Sequence, residues 1–389
     1  MNKRLSGLCA HARKIGIDVV ILFHHRDILY CAGTVRPAVL LVSTATEQAT
    51  LLVRRGLPYA RQEATVEQVE PMKGFSTLAA TVAAFGLTGG VIGTELDLAP
   101  VTLYRRLQET FPTWTFVDVT PTVLAQRAIK DETEIAVMRQ AAAVADVGHQ
   151  AASQTIAPGI TELALAAEVE AAIRRVGHEG FQPLRHPEAR GGGVLLMSGK
   201  HLSVRGGHGL VVTGAGLGPA MPYGPSRREL KEGDLVVVDI GSTYDGYTGD
   251  ESRTFVVGPA TAEQRALFTV ARTTEDAVFD VLRPGVSVAD VYETAEAVVR
   301  QGLPSHFAPG SLVLPGFVGH GLGLELDEPP VLWSRDETRL AAGMVLAIEV
   351  EVGAPELGAM VKLEDTVLVQ DDGVEVLTTT RRELIECGD

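Results

Sequence analysis

The chain has 389 residues, which is enough for two domains that each bury a core of their own. Apolar residues make up 46% of it and charged residues 21%, the proportions of a soluble globular protein. The formal net charge of −15 argues against nucleic acid or an anionic membrane surface as the main partner. No stretch approaches about 18 uncharged apolar residues, so we expect no membrane span and a cytoplasmic location. The cysteines, Cys9, Cys31 and Cys387, are odd in number and widely spaced, so they indicate neither a disulfide framework nor a metal ribbon.

Residues 1–127 alternate helix-like and strand-like segments. Pro100 is predicted at the first position of a helix, where its missing N–H costs nothing. The alternation predicts a small α/β domain. Its predicted elements are a helix over 4–15, strands over 18–23, 38–43 and 49–53, and a helix over 100–110.

A second domain is predicted over residues 128–389. Asp131 is typical of a helix N-cap, and Glu134, three positions later, completes a capping-box pattern. The apolar residues that follow recur at helical spacing, so we predict a long helix over 134–153.

An internal repeat marks this second domain. Pro158 and Pro284 are each followed by glycine, each separates two helical segments, and strand-like segments come after each pair of helices. This repeat predicts an α+β domain built of two pseudo-symmetric halves whose strands meet in the middle.

Two aspartates next to predicted strands are the first candidate site residues. An apolar run over 235–238 predicts a strand that ends on Asp239, and after a glycine-punctuated turn Asp250 precedes a second strand over 253–257. An ionised carboxylate at the end of a buried strand needs a partner, because burying it alone is very costly. Two explanations are open: a cation lies between the aspartates, or Asp239 caps the turn and Asp250 pairs with Arg253.

Three more candidates follow in the second half of the repeat. His320 stands among glycines, Glu349 ends a predicted strand over 344–348, and Glu364 has a similar setting. With the two aspartates they form an oxygen-rich set of donors. Such a set suits Mn, Co or Zn in a two-metal site better than a structural zinc site, which favours cysteine.

The order and spacing of these residues resemble those of the M24 family of metallopeptidases, which includes prolidase, aminopeptidase P, methionine aminopeptidase and the metal-free creatinase. The resemblance runs from Ile17 to the C-terminus, and residues 26–33 are similar to a segment in the N-terminal domain of creatinase and prolidase. It implies a pita-bread fold for the second domain, two divalent metal ions with manganese favoured, and a homodimer. The metal ligands that it implies are Asp239, Asp250, His320, Glu349 and Glu364.

The resemblance also implies a hydrolytic mechanism. Two metal ions a few ångströms apart can bridge a water, lower its pKa and leave it as hydroxide near neutral pH. The same pair polarises the substrate carbonyl and stabilises the oxyanion. In the family, the residue that matches Glu349 also accepts the proton of the water and passes it to the leaving nitrogen.

The chain departs from the peptidases at three positions where they usually carry histidines. These positions hold Pro222, Gly316 and Asp327. The histidines normally contact the substrate carbonyl or the transition state, and the loss of one such donor costs about 10²–10³ in rate. The usual peptidase mechanism therefore does not transfer unchanged.

Two explanations of this departure are open. In the first, other side chains replace the histidines: His201, His208 or Asp327 in catalysis, and Tyr223 or Lys362 in contacts with the substrate. Alternatively, His201 and His208 are ordinary loop histidines. Asp327 could equally form a salt bridge with no role in the reaction. Lys362 stands where the family often has arginine, so a role in supporting the ligands is also open. In the second explanation, the scaffold serves a different reaction.

We therefore predict a dinuclear metal-dependent hydrolase, with an Xaa-Pro dipeptidase or aminopeptidase acting on small peptides as the leading hypothesis. The alternative is an M24-like enzyme that uses the same metals to cleave a small C–N or C–S compound. A non-catalytic binding module on this fold is a third hypothesis, which the presence of all five implied ligands disfavours.

Overall fold

The chain divides into two units, residues 1–127 and residues 128–389. The structure is a computed structural model that describes residues 3–185, 193–206, 211–303 and 305–388. Among these described residues, every helix is too short or too polar to cross a membrane.

The first unit contains a mixed sheet with helices between its strands. The sheet has the order β4-β3-β2-β1-β5-β6, in which β1, β2 and β3 pair antiparallel and the remaining neighbours pair parallel. Its helices are α1 (Lys3–Lys14), α2 (His25–Ala32), α3 (Leu57–Glu63), α4 (Phe75–Ala84), α5 (Val101–Thr110) and α6 (Thr120–Ala128). Its strands are β1 (Val19–Leu22), β2 (Ala38–Ser43), β3 (Ala49–Val53), β4 (Gln68–Pro71), β5 (Gly90–Thr94) and β6 (Trp114–Asp118).

The elements predicted for this unit are present. The first helix and the first three strands are α1 and β1 to β3, and the last predicted helix is α5. The runs of valine and leucine in β1 and β2 are buried throughout, as expected of strands covered on both faces. Pro100 was predicted inside α5 but is its N-cap residue, because its ψ of 145° is extended and the helix begins at Val101.

The four long helices described in the second unit each begin at a residue whose side chain forms a hydrogen-bonded cap. Asp131 and Thr261 each form a capping box, and Thr161 and Ser287 each accept a backbone N–H with the side-chain oxygen. The predicted start at Asp131 is therefore confirmed. The helices are α7 (Glu132–Thr155), α8 (Glu162–Arg175), α9 (Ala262–Val281) and α10 (Val288–Gln301).

The strands of this unit form one sheet around a central seam. Its order is β11-β10-β12-β13-β9-β8-β7, with β14 on β13 and β15 parallel to β9. The strands are β7 (Leu195–Ser198), β8 (Leu235–Tyr244), β9 (Tyr247–Val257), β10 (Gly319–Gly321), β11 (Glu328–Val331), β12 (Val345–Ala354), β13 (Ala359–Val369), β14 (Val374–Val376) and β15 (Ile385–Cys387).

The seam between β9 and β13 relates two similar halves. Each half supplies a helix pair, an antiparallel hairpin (β8–β9 or β12–β13) and a short outer strand (β7 or β10). The loops between the paired helices contain Gly159 and Gly285, both left-handed with φ of 88° and 89°. The predicted α+β domain with an internal pseudo-two-fold repeat is confirmed.

Strand register places the candidate site residues on one face of this sheet. Directly opposite residues of an antiparallel pair share a face, as do residues two apart in one strand. Asp250 lies two positions from Ser252, and Glu349 lies two positions from Ala347. The register pairs are Asp239 with Ser252, Ser252 with Glu364, Glu364 with Glu349, and His320 with Ala347.

Apolar side chains on the opposite face pack against the helices. Val236, Val238 and Ile240 of β8 pack in one cluster with residues of α7 and α8. Leu346 and Ile348 of β12 pack in another with residues of α9 and α10. The helices therefore cover one face of the sheet, and the candidate site residues lie on the other.

The strands that carry these residues are longer than the sequence predicts. Predicted ends at Asp239 and Glu349 are wrong, because β8 continues to Tyr244 and β12 to Ala354. The sequence predicts Asp250 between a turn and a strand that begins at residue 253, but Asp250 lies within β9, which begins at Tyr247. Gly249 resembles a strand breaker in the sequence, yet its missing side chain lets the sheet approach α7: a Cβ there would lie 2.8 Å from the backbone nitrogen of Ala142.

Gly249→Ala is therefore expected to destabilise the protein by about 1–3 kcal/mol, since the added methyl group meets backbone atoms that cannot rotate away. Urea denaturation of the purified variant measures this loss. Gly316→Ala is the matched control, because a Cβ at Gly316 has no neighbour within 4 Å. Equal stability of the two variants would contradict the close approach of α7 to β9.

Candidate metal centre

Lys362 lies among the candidate carboxylates. Its Nζ is 2.7 Å from Asp239 Oδ2, 2.9 Å from Glu349 Oε2 and 3.1 Å from Glu364 Oε2. The lysine side chain is only 3% exposed. Each of the three ammonium N–H groups thus has one carboxylate within hydrogen-bonding distance.

His320 lies beside this group with its Nε2 directed at carboxylates. Nε2 is 3.5 Å from Glu349 Oε1 and 3.8 Å from Asp250 Oδ2. On the other side of the ring, Nδ1 is 3.1 Å from the carbonyl oxygen of Gly321, and Asp327 Oδ1 is 3.6 Å from Nδ1. Nδ1–H donating to that carbonyl leaves the Nε2 lone pair directed at the cluster, the tautomer that a metal-ligating histidine needs.

Side-chain hydroxyls on the seam hold the central strands in position. Ser252 Oγ donates to Glu364 Oε2 at 2.6 Å. The backbone N–H of Asp250 donates to Thr366 Oγ1, whose hydroxyl donates back to the Asp250 carbonyl. The Thr254 hydroxyl bonds the backbone N–H and carbonyl of Lys362 in the same reciprocal way. These residues were not predicted from the sequence; the signal for those in β9 is that Thr248, Ser252 and Thr254 stand at alternate positions of one face of the strand.

Beneath the seam, on the helix-covered face, lies a buried ion-pair network. Arg253 Nη2 is 2.8 Å from Glu251 Oε1 and 2.6 Å from Asp365 Oδ1, and Nη1 donates to the Glu364 carbonyl. Arg253 therefore pairs with acids of its own face, and the alternative that it neutralises Asp250 is wrong. The alternative that Asp239 caps a turn is also wrong, since Asp239 lies in the middle of β8.

The buried charges of the cluster shift one another's protonation. Burial raises the pKa of Asp250 well above its ordinary value, and the carboxylates of Glu364 and Asp239 raise it further. Burial also raises the pKa of Glu364, against the opposing effect of Lys362. For Lys362, burial lowers the pKa, but Asp239, Glu349 and Glu364 outweigh it and hold the pKa well above the ordinary value. The ammonium is thus charged. Burial disfavours the ionised form of the carboxylates, and a further cation beside them would stabilise that form.

Three of the candidates have the geometry to hold a metal ion. One ligand atom each of Asp250, His320 and Glu364 lies within 4.8 Å of the others, and all three residues are buried. Asp250 Oδ1 and Glu364 Oε1 have no hydrogen-bond partner within the described part of the chain. Such buried oxygens are costly unless a cation or donor satisfies them. Two carboxylate oxygens and an imidazole nitrogen fit a divalent transition metal.

The remaining candidates lie in different settings. His201, in the 3₁₀ turn Gly199–Ser203, has Nδ1 3.1 Å from Glu162 Oε1, so it takes part in a buried hydrogen-bond network. Tyr223 is half-buried in the irregular segment before β8, and the Asp327 side chain is 65% exposed. His208 lies outside the described residues. The substrate contacts predicted for Tyr223 and Lys362 stay predictions, although the Lys362 ammonium already has three carboxylate partners.

Comparison with known proteins assigns the chain to a family. Residues 136–371 match the model of metallopeptidase family M24, and residues 4–129 match the creatinase/prolidase N-terminal domain. Because the first match covers more than half of the chain, the chain belongs to metallopeptidase family M24. The predicted resemblance is therefore confirmed, and so is the pita-bread fold of the second unit.

Individual relatives match along the whole chain. An Xaa-Pro dipeptidase of Pyrococcus horikoshii is 27% identical over 390 residues, which are 99% of this chain and 99% of the relative. The crystal structure of the prolidase from the same organism has a TM-score of 0.80 at 26% identity and covers 99% of this chain and 100% of that chain. An Xaa-Pro dipeptidase structure from Bacillus anthracis has a TM-score of 0.83, covers 99% of both chains and, at 23% identity, shows the same fold.

Ser252→Ala is expected to weaken divalent-metal binding by about 10–100-fold, because the hydroxyl that orients Glu364 is lost. Isothermal titration with Mn²⁺ measures the affinity. Ser242→Ala is the matched control: this buried serine of the neighbouring strand donates to the backbone carbonyls of Ala141 and Gly249 instead. Equal affinities of the two variants would exclude a role of Ser252 at the metal centre.

Proposed function

We propose that this M24 metallopeptidase is a metal-dependent Xaa-Pro peptidase, either a dipeptidase or an aminopeptidase. The observation that carries the proposal is the convergence of all five candidate ligands on one sheet face, in a chain that Xaa-Pro dipeptidases match over its whole length. The proposed metal-binding residues are Asp250, His320, Glu349 and Glu364; Asp239, the fifth residue that the resemblance assigns to metal, lies 2.7 Å from the Lys362 ammonium. Manganese is the first metal to test, because the donors are mostly carboxylate oxygens.

A divalent metal bound at this centre supplies Lewis-acid polarisation of the scissile carbonyl and lowers the pKa of a water. The residues of the chain position the metal-binding side chains and accept the proton of the attacking water. Glu349 Oε2 lies against Lys362, whereas Oε1 faces His320, so Oε1 is the proposed acceptor of a proton from the attacking water. The Asp327 carboxylate, 3.6 Å from His320 Nδ1, is proposed to act on the imidazole through its charge while Nδ1–H donates to the Gly321 carbonyl, a positioning role in place of its predicted catalytic one.

The positions that lack the usual histidines leave stabilisation of the oxyanion to other groups. Gly316 and Pro222 are exposed and carry no donor side chain. A small C–N or C–S substrate remains an outcome of the activity test, but several relatives that match over nearly the whole chain are named as dipeptidases or probable dipeptidases. The family resemblance also supports proposing a homodimer in the cytoplasm, and light scattering of the purified protein tests the dimer.

The decisive experiment compares Xaa-Pro dipeptides with longer Xaa-Pro peptides as substrates of the manganese-loaded protein. We expect cleavage at the bond before proline, and the preferred length distinguishes dipeptidase from aminopeptidase. Asp250→Asn is the blank, expected to fold normally by circular dichroism and to lose metal and activity together. Peptides with alanine in place of proline are the specificity control. Absence of Xaa-Pro cleavage by metal-loaded protein would reject the peptidase and favour the small-molecule alternative.

A further inference from the structure

We propose that the ammonium of Lys362 takes the place of one of the two metal ions implied for this centre, which therefore holds a single divalent ion beside a permanent internal cation. The inference rests on the metal-binding role proposed above for the cluster and goes beyond it by fixing the number of ions.

The surroundings of Lys362 Nζ leave no room for a metal ion bound by the same oxygens. Three oxygens, Asp239 Oδ2, Glu349 Oε2 and Glu364 Oε2, lie 2.7–3.1 Å from this nitrogen. These are hydrogen-bond distances to an ammonium, and we call this group the ammonium compartment. A divalent ion bound by the same oxygens would need them at about 2.0–2.6 Å and would have to displace Nζ.

The carboxylate oxygens are divided between two compartments. Glu349 and Glu364 each direct Oε2 at Lys362, while Glu349 Oε1 faces His320 Nε2 and Glu364 Oε1 has no hydrogen-bond partner among the described residues. Asp250 Oδ1 is also buried without such a partner. We call the set of His320 Nε2, Asp250, Glu349 Oε1 and Glu364 Oε1 the imidazole compartment. Unsatisfied oxygens are found in this compartment, so this is where a cation is needed.

Lys362 is held in place by its backbone and by burial of its side chain. Its backbone N–H and carbonyl both bond the Thr254 hydroxyl on the adjacent strand, and its side chain is buried. A second divalent ion would therefore be added next to a charged ammonium that cannot retreat to solvent. Like charges at such short range in a buried site repel strongly, so the ammonium compartment selects against a second ion.

The metal content of the wild-type protein tests the inference directly. Protein equilibrated with Mn²⁺ and freed of excess metal is expected to contain one ion per chain by elemental analysis. Lys362→Met, which keeps the length and burial of the side chain and removes its charge, is expected to bind a second ion. Lys130→Met is the matched control, because this equally buried lysine pairs with Glu328 at 3.7 Å and should leave the metal content at one.

A pair of aspartate variants tests the inference even if Lys362→Met fails to fold. Asp239 contacts the ammonium and Asp250 belongs to the imidazole compartment. Asp239→Asn is therefore expected to keep one ion with its affinity changed by less than about 10-fold, whereas Asp250→Asn loses the ion, as expected for removal of a direct ligand and not of an outer partner.

Two tightly bound ions in the wild-type protein, or loss of the ion in Asp239→Asn, would overturn the inference. These measurements need no substrate, so they separate it from the proposed function. Cleavage of Xaa-Pro peptides by a protein with two ions would reject the single-ion centre and keep the peptidase. One ion per chain without cleavage of Xaa-Pro peptides would keep the single-ion centre and reject the peptidase.

Discussion

The contact between the Lys362 ammonium and three buried carboxylates is the interaction on which the second unit depends. Four acidic side chains on one sheet face repel one another and have lost much of their hydration, a combination that is costly without compensating cations. Lys362 supplies one positive charge at hydrogen-bonding distance from Asp239, Glu349 and Glu364. The remaining oxygens, on the side of His320, are left to a divalent metal. The same carboxylates therefore determine both the charge balance of the cluster and its metal binding.

The seam between the two halves of the repeat positions these charges. Ser252 and Glu364 face each other directly across it in regular pairing, and hydroxyls of Thr254 and Thr366 bond the backbone on either side. On the opposite face, Arg253 joins the Glu364 carbonyl to two buried acids. Contacts on both faces thus hold the same short stretch of β9 and β13, which gives the ligands the rigid support that a metal centre needs.

The chain belongs to family M24 and carries the acidic residues and the histidine that the resemblance assigns to metal, whereas Pro222, Gly316 and Asp327 stand where the resemblance leads us to expect histidines that contact the substrate. Donors directed at the charge that develops in the transition state are usually the largest single contribution to catalysis. A chain with Pro222 and Gly316 at those positions depends more heavily on the cluster itself. A fixed ammonium in that cluster is consistent with this shift, because it adds positive charge that chelators cannot remove.

Local patterns in the sequence were sufficient to predict several of the helices and strands and the internal repeat, whereas the resemblance to a family supplied the candidate site residues. The capping box at Asp131 and the buried runs of β1 and β2 depend on neighbours close in the chain, and so does the repeated helix–Pro-Gly–helix unit. Strand lengths were not predictable in this way. Gly249 has the local character of a breaker, and it lies in β9 because α7 packs against it. The place of Lys362 was also beyond local patterns: the lysine was expected to contact substrate or support the ligands, and register brings it to Asp239, 123 positions away. Which side chains meet across a sheet depends on register, since a slip of one residue turns every side chain to the other face.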